Sequence, residues 1–221
     1  MGEIKEHTRF DFAKLTERQK YKLLIGTVIP RPIALVTTMS REREPNAGPF
    51  SFFNVLTHEP AIVAICVENY ADMRFKDTAK NIRETGEFTV HICDDAMVEQ
   101  MEICAIKFGP DVNELEQAGL HTVPGEAVRS PRILEAPAAL ECRRYMTLEL
   151  GSAREIILGQ VVGLYVRSDA VNPADHHIDQ IKMDAVGRMG GHTYAHTRDQ
   201  FDVVTPTPAD SFARGTQQGT K

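Results

Sequence analysis

Lys76-Asp77-Thr78 combines residue types that together suit an anionic ligand. Asp77 or Thr78 has the character of a helix N-cap, and the free backbone N–H groups of a helix N-terminus attract negative charge. Lys76 would add a full positive charge and Thr78 a hydroxyl donor, with Arg74 two residues upstream on an extended backbone. A second group is Thr37-Thr38, near the end of the apolar run that starts at Ile33. Two hydroxyls there would bond a phosphate, a hydroxylated chain or the backbone of the following turn. The third group is Asn46-Ala-Gly-Pro-Phe-Ser-Phe-Phe-Asn54. Its small residues would let a planar ring approach the backbone beside Ser51 and Asn54, while Phe50, Phe52 and Phe53 close off water. Each fragment also has a plainer reading: a capped helix with solvated Lys and Arg, a turn, and a piece of apolar core.

Several other chemistries lack their residues. Gly187, Gly190 and Gly191 do not have the G-x-G-x-x-G spacing, and no phosphate-binding G-x-x-x-x-G-K-[ST] loop occurs. His58-Glu59 is followed by Ile62 where a zinc-binding H-E-x-x-H needs a second histidine, and there is no G-x-S-x-G. His176, His177 and Asp179 could ligate a metal, with His192 and His196 as distant candidates. A closed site needs a third or fourth ligand that this spacing does not identify, so the segment reads as a polar loop. Cys66, Cys93, Cys104 and Cys142 form no Cys-x-x-Cys pair and read as reduced, buried thiols.

The elements that must position these groups are mainly strands. Phe10 to Leu24 is polar with periodic apolar residues, a short turn or helix that Gly26 and Pro30-Arg31-Pro32 stop. Strands are expected at 33–39, 50–56, 61–67 and 87–93, with a polar turn from Ser40 to Pro49. A helix runs from the Asp77/Thr78 cap to Thr85, and Gly86 ends it. Helical patterns follow at 95–104 and 113–118. Two long strands at 139–150 and 155–166 flank Gly151-Ser152 as a hairpin. Turns between strands, with helices inserted midway, predict an antiparallel barrel with flanking helices rather than a regular βα alternation.

The chain has 221 residues, 42% of them hydrophobic and 25% charged, which suits one domain with a sizeable core. Its expected extent is 1–204, with an N-terminal arm to about residue 25 and a flexible tail at 205–221. The net charge of −6 argues against nucleic acid or an anionic membrane as main partner. No signal peptide or bilayer-length apolar run is visible, which predicts a cytoplasmic protein.

In order and spacing these stretches resemble the flavin-reductase-like family, whose FMN-binding split barrels include the flavoredoxins. The matching residues are Pro30-Arg-Pro-Ile-Ala-Leu-Val-Thr-Thr38, Asn46 to Asn54, Lys76-Asp-Thr-Ala-Lys-Asn-Ile82 and Gly86-Glu-Phe-Thr-Val90. Val186-Gly-Arg-Met-Gly-Gly-His-Thr-Tyr194 is similar to the family's late Arg-x-Gly-Gly-x-x-Tyr element. The resemblance covers roughly residues 20 to 200. It implies a mainly β fold with flanking helices, a split β-barrel of antiparallel, Greek-key strands. It places Thr37, Thr38, Lys76 and Thr78 at the FMN phosphate and ribityl chain. Asn46, Ala47, Ser51, Phe52, Phe53 and Asn54 would bracket the isoalloxazine, and Gly190, Gly191 and Tyr194 would complete the site near a homodimer interface. Arg188 and His192 would guide a substrate or the nicotinamide, and no residue is assigned to acid–base catalysis. The implied activity is hydride transfer from NADH or NADPH to FMN, serving a monooxygenase partner. The alternatives are an FMN-holding protein that transfers electrons or oxidises a small aromatic substrate, and a non-enzymatic FMN-binding protein.

Overall fold

A computed structural model describes residues 6–70, 72–109, 112–151 and 153–207. The strands in chain order are β1 (Arg31–Pro32), β2 (Ala34–Met39), β3 (Pro45–Phe50), β4 (Phe53–His58), β5 (Ala61–Glu68), β6 (Glu87–Ile92), β7 (Thr122–Val123), β8 (Arg132–Ile133), β9 (Ala138–Leu150), β10 (Arg154–Val166), β11 (Val171–Asn172), β12 (His177–Ile178), β13 (Val186–Arg188) and β14 (Tyr194–His196). The α-helices are α1 (Glu17–Thr27), α2 (Asp77–Thr85), α3 (Val98–Ile103), α4 (Glu114–Gln117) and α5 (Gln180–Met183). Seven strands make one antiparallel sheet in the order β3-β2-β6-β9-β10-β5-β4. The sheet curls until β3 approaches β5, giving the expected barrel with helices against it. A smaller sheet, β1-β13-β14, joins the residues just after α1 to the late hairpin.

Two cores follow from the pleat of β2, whose successive side chains point to opposite faces. Ala34 and Val36 face the barrel interior with Phe88, Val90 and Ile157, and Ala79 and Ile82 of α2 pack there. Leu35 faces outward to a second cluster with Met97, Met101, Leu115 and Ile133. The interior is packed tightly around Phe88. A Cβ on Gly159 would lie 2.3 Å from its ring, so this position of β10 requires glycine.

The outer layer is held by buried polar groups. The neutral His91 ring donates from Nδ1 to the Leu35 carbonyl at 3.0 Å and accepts the Ile133 N–H on Nε2 at 3.0 Å. Full burial pushes the pKa of His91 down to about 4. The Glu141 carboxylate, fully buried, accepts the N–H groups of Glu126 at 2.7 Å and Ala127 at 2.9 Å, pinning the loop before β8.

Several boundaries differ from the sequence reading, for physical reasons. The turn expected over 40–49 shrinks to Ser40–Glu44, closed by the Ser40 N–H donating to the Glu44 carbonyl at 2.9 Å. Pro45 to Phe50 instead form edge strand β3. Pro45 and Pro49 lack an N–H, and the outward N–H of Ala47 between them donates to Glu114 at 3.4 Å, so this edge offers no free donor row at those positions. The strand expected over 50–56 breaks at Ser51-Phe52 and resumes as β4. Gly26 does not stop α1, which runs to Thr27 from a Thr16–Gln19 capping box. The pattern at 95–104 divides into a 3₁₀ turn and α3. Thr205 to Thr207 are exposed and belong to no helix or strand, and the rest of the expected tail lies outside the described residues.

Candidate functional site

Helix α2 (Asp77–Thr85) follows the end of β5 at Glu68 after a loop. Its N-cap position is Lys76, not Asp77 or Thr78, and no side chain caps the helix. The first intrahelical bond at this end is donated by Lys80 to the Lys76 carbonyl, at 2.9 Å. The N–H groups of Asp77, Thr78 and Ala79 precede it and have no intrahelical acceptor. Lys76 is held by its backbone N–H, which donates to Asn69 Oδ1 at 3.1 Å. Partial burial lowers the pKa of its ammonium, a cost that an anionic neighbour would relieve.

Three of the expected residues converge on this helix end. Asn46 Nδ2 donates to the Thr78 hydroxyl at 3.1 Å and stands 3.4 Å from that of Thr38. Asn81, one helical turn beyond Thr78, donates to Thr38 Oγ1 at 3.0 Å. Both hydroxyls act as acceptors in these bonds and keep their own protons to donate. A Cβ on Gly48 would lie 3.6 Å from Thr78 Oγ1, so the backbone of β3 runs close beside α2. Thr37 does not share this face. The pleat turns it outward, and its hydroxyl donates to the Pro131 carbonyl at 2.6 Å. Ala47 points outward too, into the core with Leu115.

The late element forms a second grouping. Arg31 is 6% exposed and acts as a hub. It donates to the carbonyls of Ile25 (2.7 Å), Val28 (3.1 Å) and Met189 (3.0 Å), and to the Ser51 hydroxyl at 3.4 Å. These bonds tie the end of α1, the β3–β4 break and the β13–β14 hairpin together. Gly187 fits where a Cβ would meet Pro30 at 2.6 Å, and Gly190 packs beside Gly26. Arg188 donates to Glu102 at 2.7 Å and to the Gly191 carbonyl at 2.9 Å, and also bonds the Tyr194 hydroxyl, which donates to Glu102. A cleft of about 190 Å³ opens among Arg31, Phe50, Ser51, Glu102, Arg188 and Tyr194. His192 is exposed on the same hairpin.

The remaining expected residues lie on β4 and its approach. Phe52 is exposed beside Arg31, whose guanidinium is 6.0 Å from the ring centroid, and Phe53 is core. Asn54 pairs with Ala64, Ala64 with Leu158, and Leu158 with Met146. The neighbouring row is Cys66, Ile156 and Leu148. Cross-strand partners share a face, so Asn54 borders an apolar outer face on which Met146 and Leu148 are exposed.

Some features stand apart. Asp179 is used as the N-cap of α5, accepting from the N–H groups of Ile181 and Lys182, and among the described residues no three metal-ligating side chains cluster. A wider cleft of about 640 Å³ lies between the 39–45 turn and the 122–131 loop, on the side to which Thr37 points. The sequence reading did not single out Asn69, Asn81, Arg31 or Glu102. Helical spacing from Thr78 marks Asn81. Arg31 sits between two prolines that read as a helix stop and as part of a family-matching stretch, with no role for its own side chain, and Glu102 carries no local signal.

The flavin reductase like domain model matches residues 25–183. Among solved structures, 2-nitrobenzoate 2-nitroreductase from Pseudomonas fluorescens is 34% identical, with a TM-score of 0.84 over 91% of this chain and 98% of its own. Nitrilotriacetate monooxygenase component B from Bacillus cereus is 31% identical, with a TM-score of 0.86 over 90% and 100%. Flavoredoxin from Desulfovibrio vulgaris, at 24% identity, shares the fold with a TM-score of 0.71 over 82% and 94%. The fold is the split barrel of these proteins, and the chain belongs to the flavin reductase-like family.

Proposed function

We propose that this protein is an NAD(P)H-dependent flavin oxidoreductase that holds FMN between α2 and the β3–β4 segment. The observation that carries the reading is the uncapped N-terminus of α2 with Lys76 beside it. N–H groups with no intrahelical acceptor, a partly desolvated ammonium and two hydroxyls with free protons are a donor set suited to a phosphate and a hydroxylated chain. Lys76, Thr78, Asn46 and Thr38 would hold that end. Ser51, Phe52, Asn54 and the Gly190–Tyr194 hairpin would border the ring, with Thr37, Ala47 and Phe53 shaping the cradle from behind. Bound flavin would supply the hydride chemistry, so this chain's residues would have to orient two rings and exclude water rather than provide a triad.

A homodimer belongs to the same proposal. The outer face of β9 and β10 beside Asn54 is apolar and exposed, which fits a second copy covering it and completing the site. A monooxygenase that consumes the reduced flavin would be the partner, as the name of the Bacillus cereus relative suggests. The second reading, oxidoreduction of a small aromatic substrate on bound FMN, is favoured by the cleft at Arg188 and the name of the Pseudomonas relative.

Anaerobic titration of the FMN-loaded protein with NADH and with NADPH, followed by absorbance, tests the proposal. Bleaching by either supports the reductase. A flavin that neither nicotinamide reduces ends it. Absence of any FMN effect on colour or melting temperature ends the FMN reading altogether.

A further inference from the structure

The cleft at the late hairpin has a composition that the flavin cradle does not explain. Its ionic lining consists of Arg31, Arg188 and Glu102, two cations against one carboxylate, in a chain whose net charge is −6. Arg31 is occupied by three backbone carbonyls and Ser51. Arg188 differs: it spends one donor on a single backbone carbonyl, Gly191, and its main partner is the half-exposed Glu102 carboxylate at the end of α3, 2.7 Å away. A planar guanidinium is shaped to receive a carboxylate through two parallel N–H donors. The Tyr194 hydroxyl stands beside it, bonded to the same Glu102.

Size limits the occupant. About 190 Å³ is below the roughly 300–1,000 Å³ of clefts that hold drug-sized ligands. It is close to the roughly 150 Å³ cavity that accommodates one benzene ring. Phe50, Ile33, Met101 and Tyr21 supply apolar and aromatic walls for such a ring.

We infer that this cleft is a subsite for a small one-ring carboxylate, which takes Arg188 and Tyr194 in place of Glu102, the internal counterion that occupies them when no ligand is present. Glu102 then sets the affinity, since an incoming carboxylate must displace it. The cleft starts at Phe50-Ser51, where the proposed function puts the border of the flavin ring. Its use as a substrate site rests on that reading, whereas the carboxylate binding does not.

The test is calorimetric titration of the full chain with benzoate, and with benzamide as the uncharged analogue of the same shape. Benzoate is expected to bind at least about tenfold more tightly than benzamide, the scale of one charge-assisted contact. Glu102→Gln is expected to tighten benzoate binding on the order of tenfold by removing the competitor. Arg188→Met should abolish the preference for benzoate, and Arg188→Lys should restore part of it. Melting temperatures of all variants verify folding, and Glu102→Gln, at a half-exposed site, supplies the gain-of-binding signal that misfolding cannot imitate. Benzoate binding that is absent, no stronger than benzamide binding, or unmoved by Glu102→Gln overturns the inference. FMN titration of the same samples separates the two ideas. FMN binding without benzoate binding rejects only the subsite, and benzoate binding without FMN binding rejects only the flavin reading.

Discussion

The side-chain amide of Asn46 donates to the hydroxyl of Thr78 at 3.1 Å, joining edge strand β3 to the first turn of α2. This bond holds the Thr78 hydroxyl so that its own proton is free to point elsewhere. Thr78→Val keeps the shape and removes that donor. The expected result is FMN binding about tenfold weaker, the scale of one hydrogen bond, measured by quenching of flavin fluorescence. Unchanged affinity would remove Thr78 from the proposed phosphate end.

Lys76 contributes the charge at the same end. Lys76→Ala should weaken FMN binding by roughly 1–3 kcal/mol, with the smaller part of the loss recovered by Lys76→Arg. Riboflavin, which lacks the phosphate, should bind wild type and Lys76→Ala alike. Equal losses for the two ligands would show that Lys76 acts on something other than the phosphate.

Stability should fall with acid because of His91. Its folded pKa of about 4 lies below the ordinary 6.5, so between those values the unfolded chain binds a proton that the folded chain excludes. The stability is therefore complete above about pH 6.5 and is lost as the pH falls toward 4, by roughly 3 kcal/mol in all. Urea unfolding at pH 7 and pH 4.5 measures it. His91→Gln, whose amide can both donate and accept, should show a clearly shallower pH dependence, and matching slopes would reject the assignment.

The loop pinned by Glu141 leaves no room beside Gly125. A Cβ there would lie 2.3 Å from the Val128 carbonyl and 2.9 Å from Glu141 Oε1. Gly125→Ala should cost about 1–3 kcal/mol of stability, the scale of an overpacked core. A chemical denaturation midpoint equal to wild type would contradict the packing.

Leu148 stands on the apolar outer face of β9, opposite Ile156 and in the row next to Asn54. Leu148→Glu should convert the proposed dimer to monomer, as read by light scattering, and lower FMN affinity in parallel. A monomeric wild type would dispose of the dimer, and a monomeric variant with full FMN affinity would show that one chain holds the site alone.

Much of this was legible in the chain itself. The β-branched run at Ile33–Met39, the alternation at Glu87–Ile92 and the Gly151 hairpin each declare a strand or turn through local periodicity and backbone freedom, and the structure has them in place. Gly86, at φ 73°, ends α2 as a glycine in that conformation should. Order and spacing of the motifs carried the family, because each fragment alone also suits ordinary structure.

What tertiary structure decided is which neighbours share a face and which buried polar groups find partners. Thr37 and Thr38 are adjacent and chemically alike, yet the pleat of β2 sends one to Pro131 and the other to Asn46 and Asn81. Arg31 reads as a residue between prolines until it closes on carbonyls as distant in sequence as Met189. Glu102 meets Arg188 across 86 positions. Local sequence sets the preference of a segment for helix, strand or turn through short-range sterics, whereas hydrogen bonds between distant side chains exist only once the barrel has closed. The end of α2 proposed for the phosphate could therefore be marked as a candidate from Lys76 and Thr78 taken with the other stretches, while the cleft at Arg188 is a product of the fold.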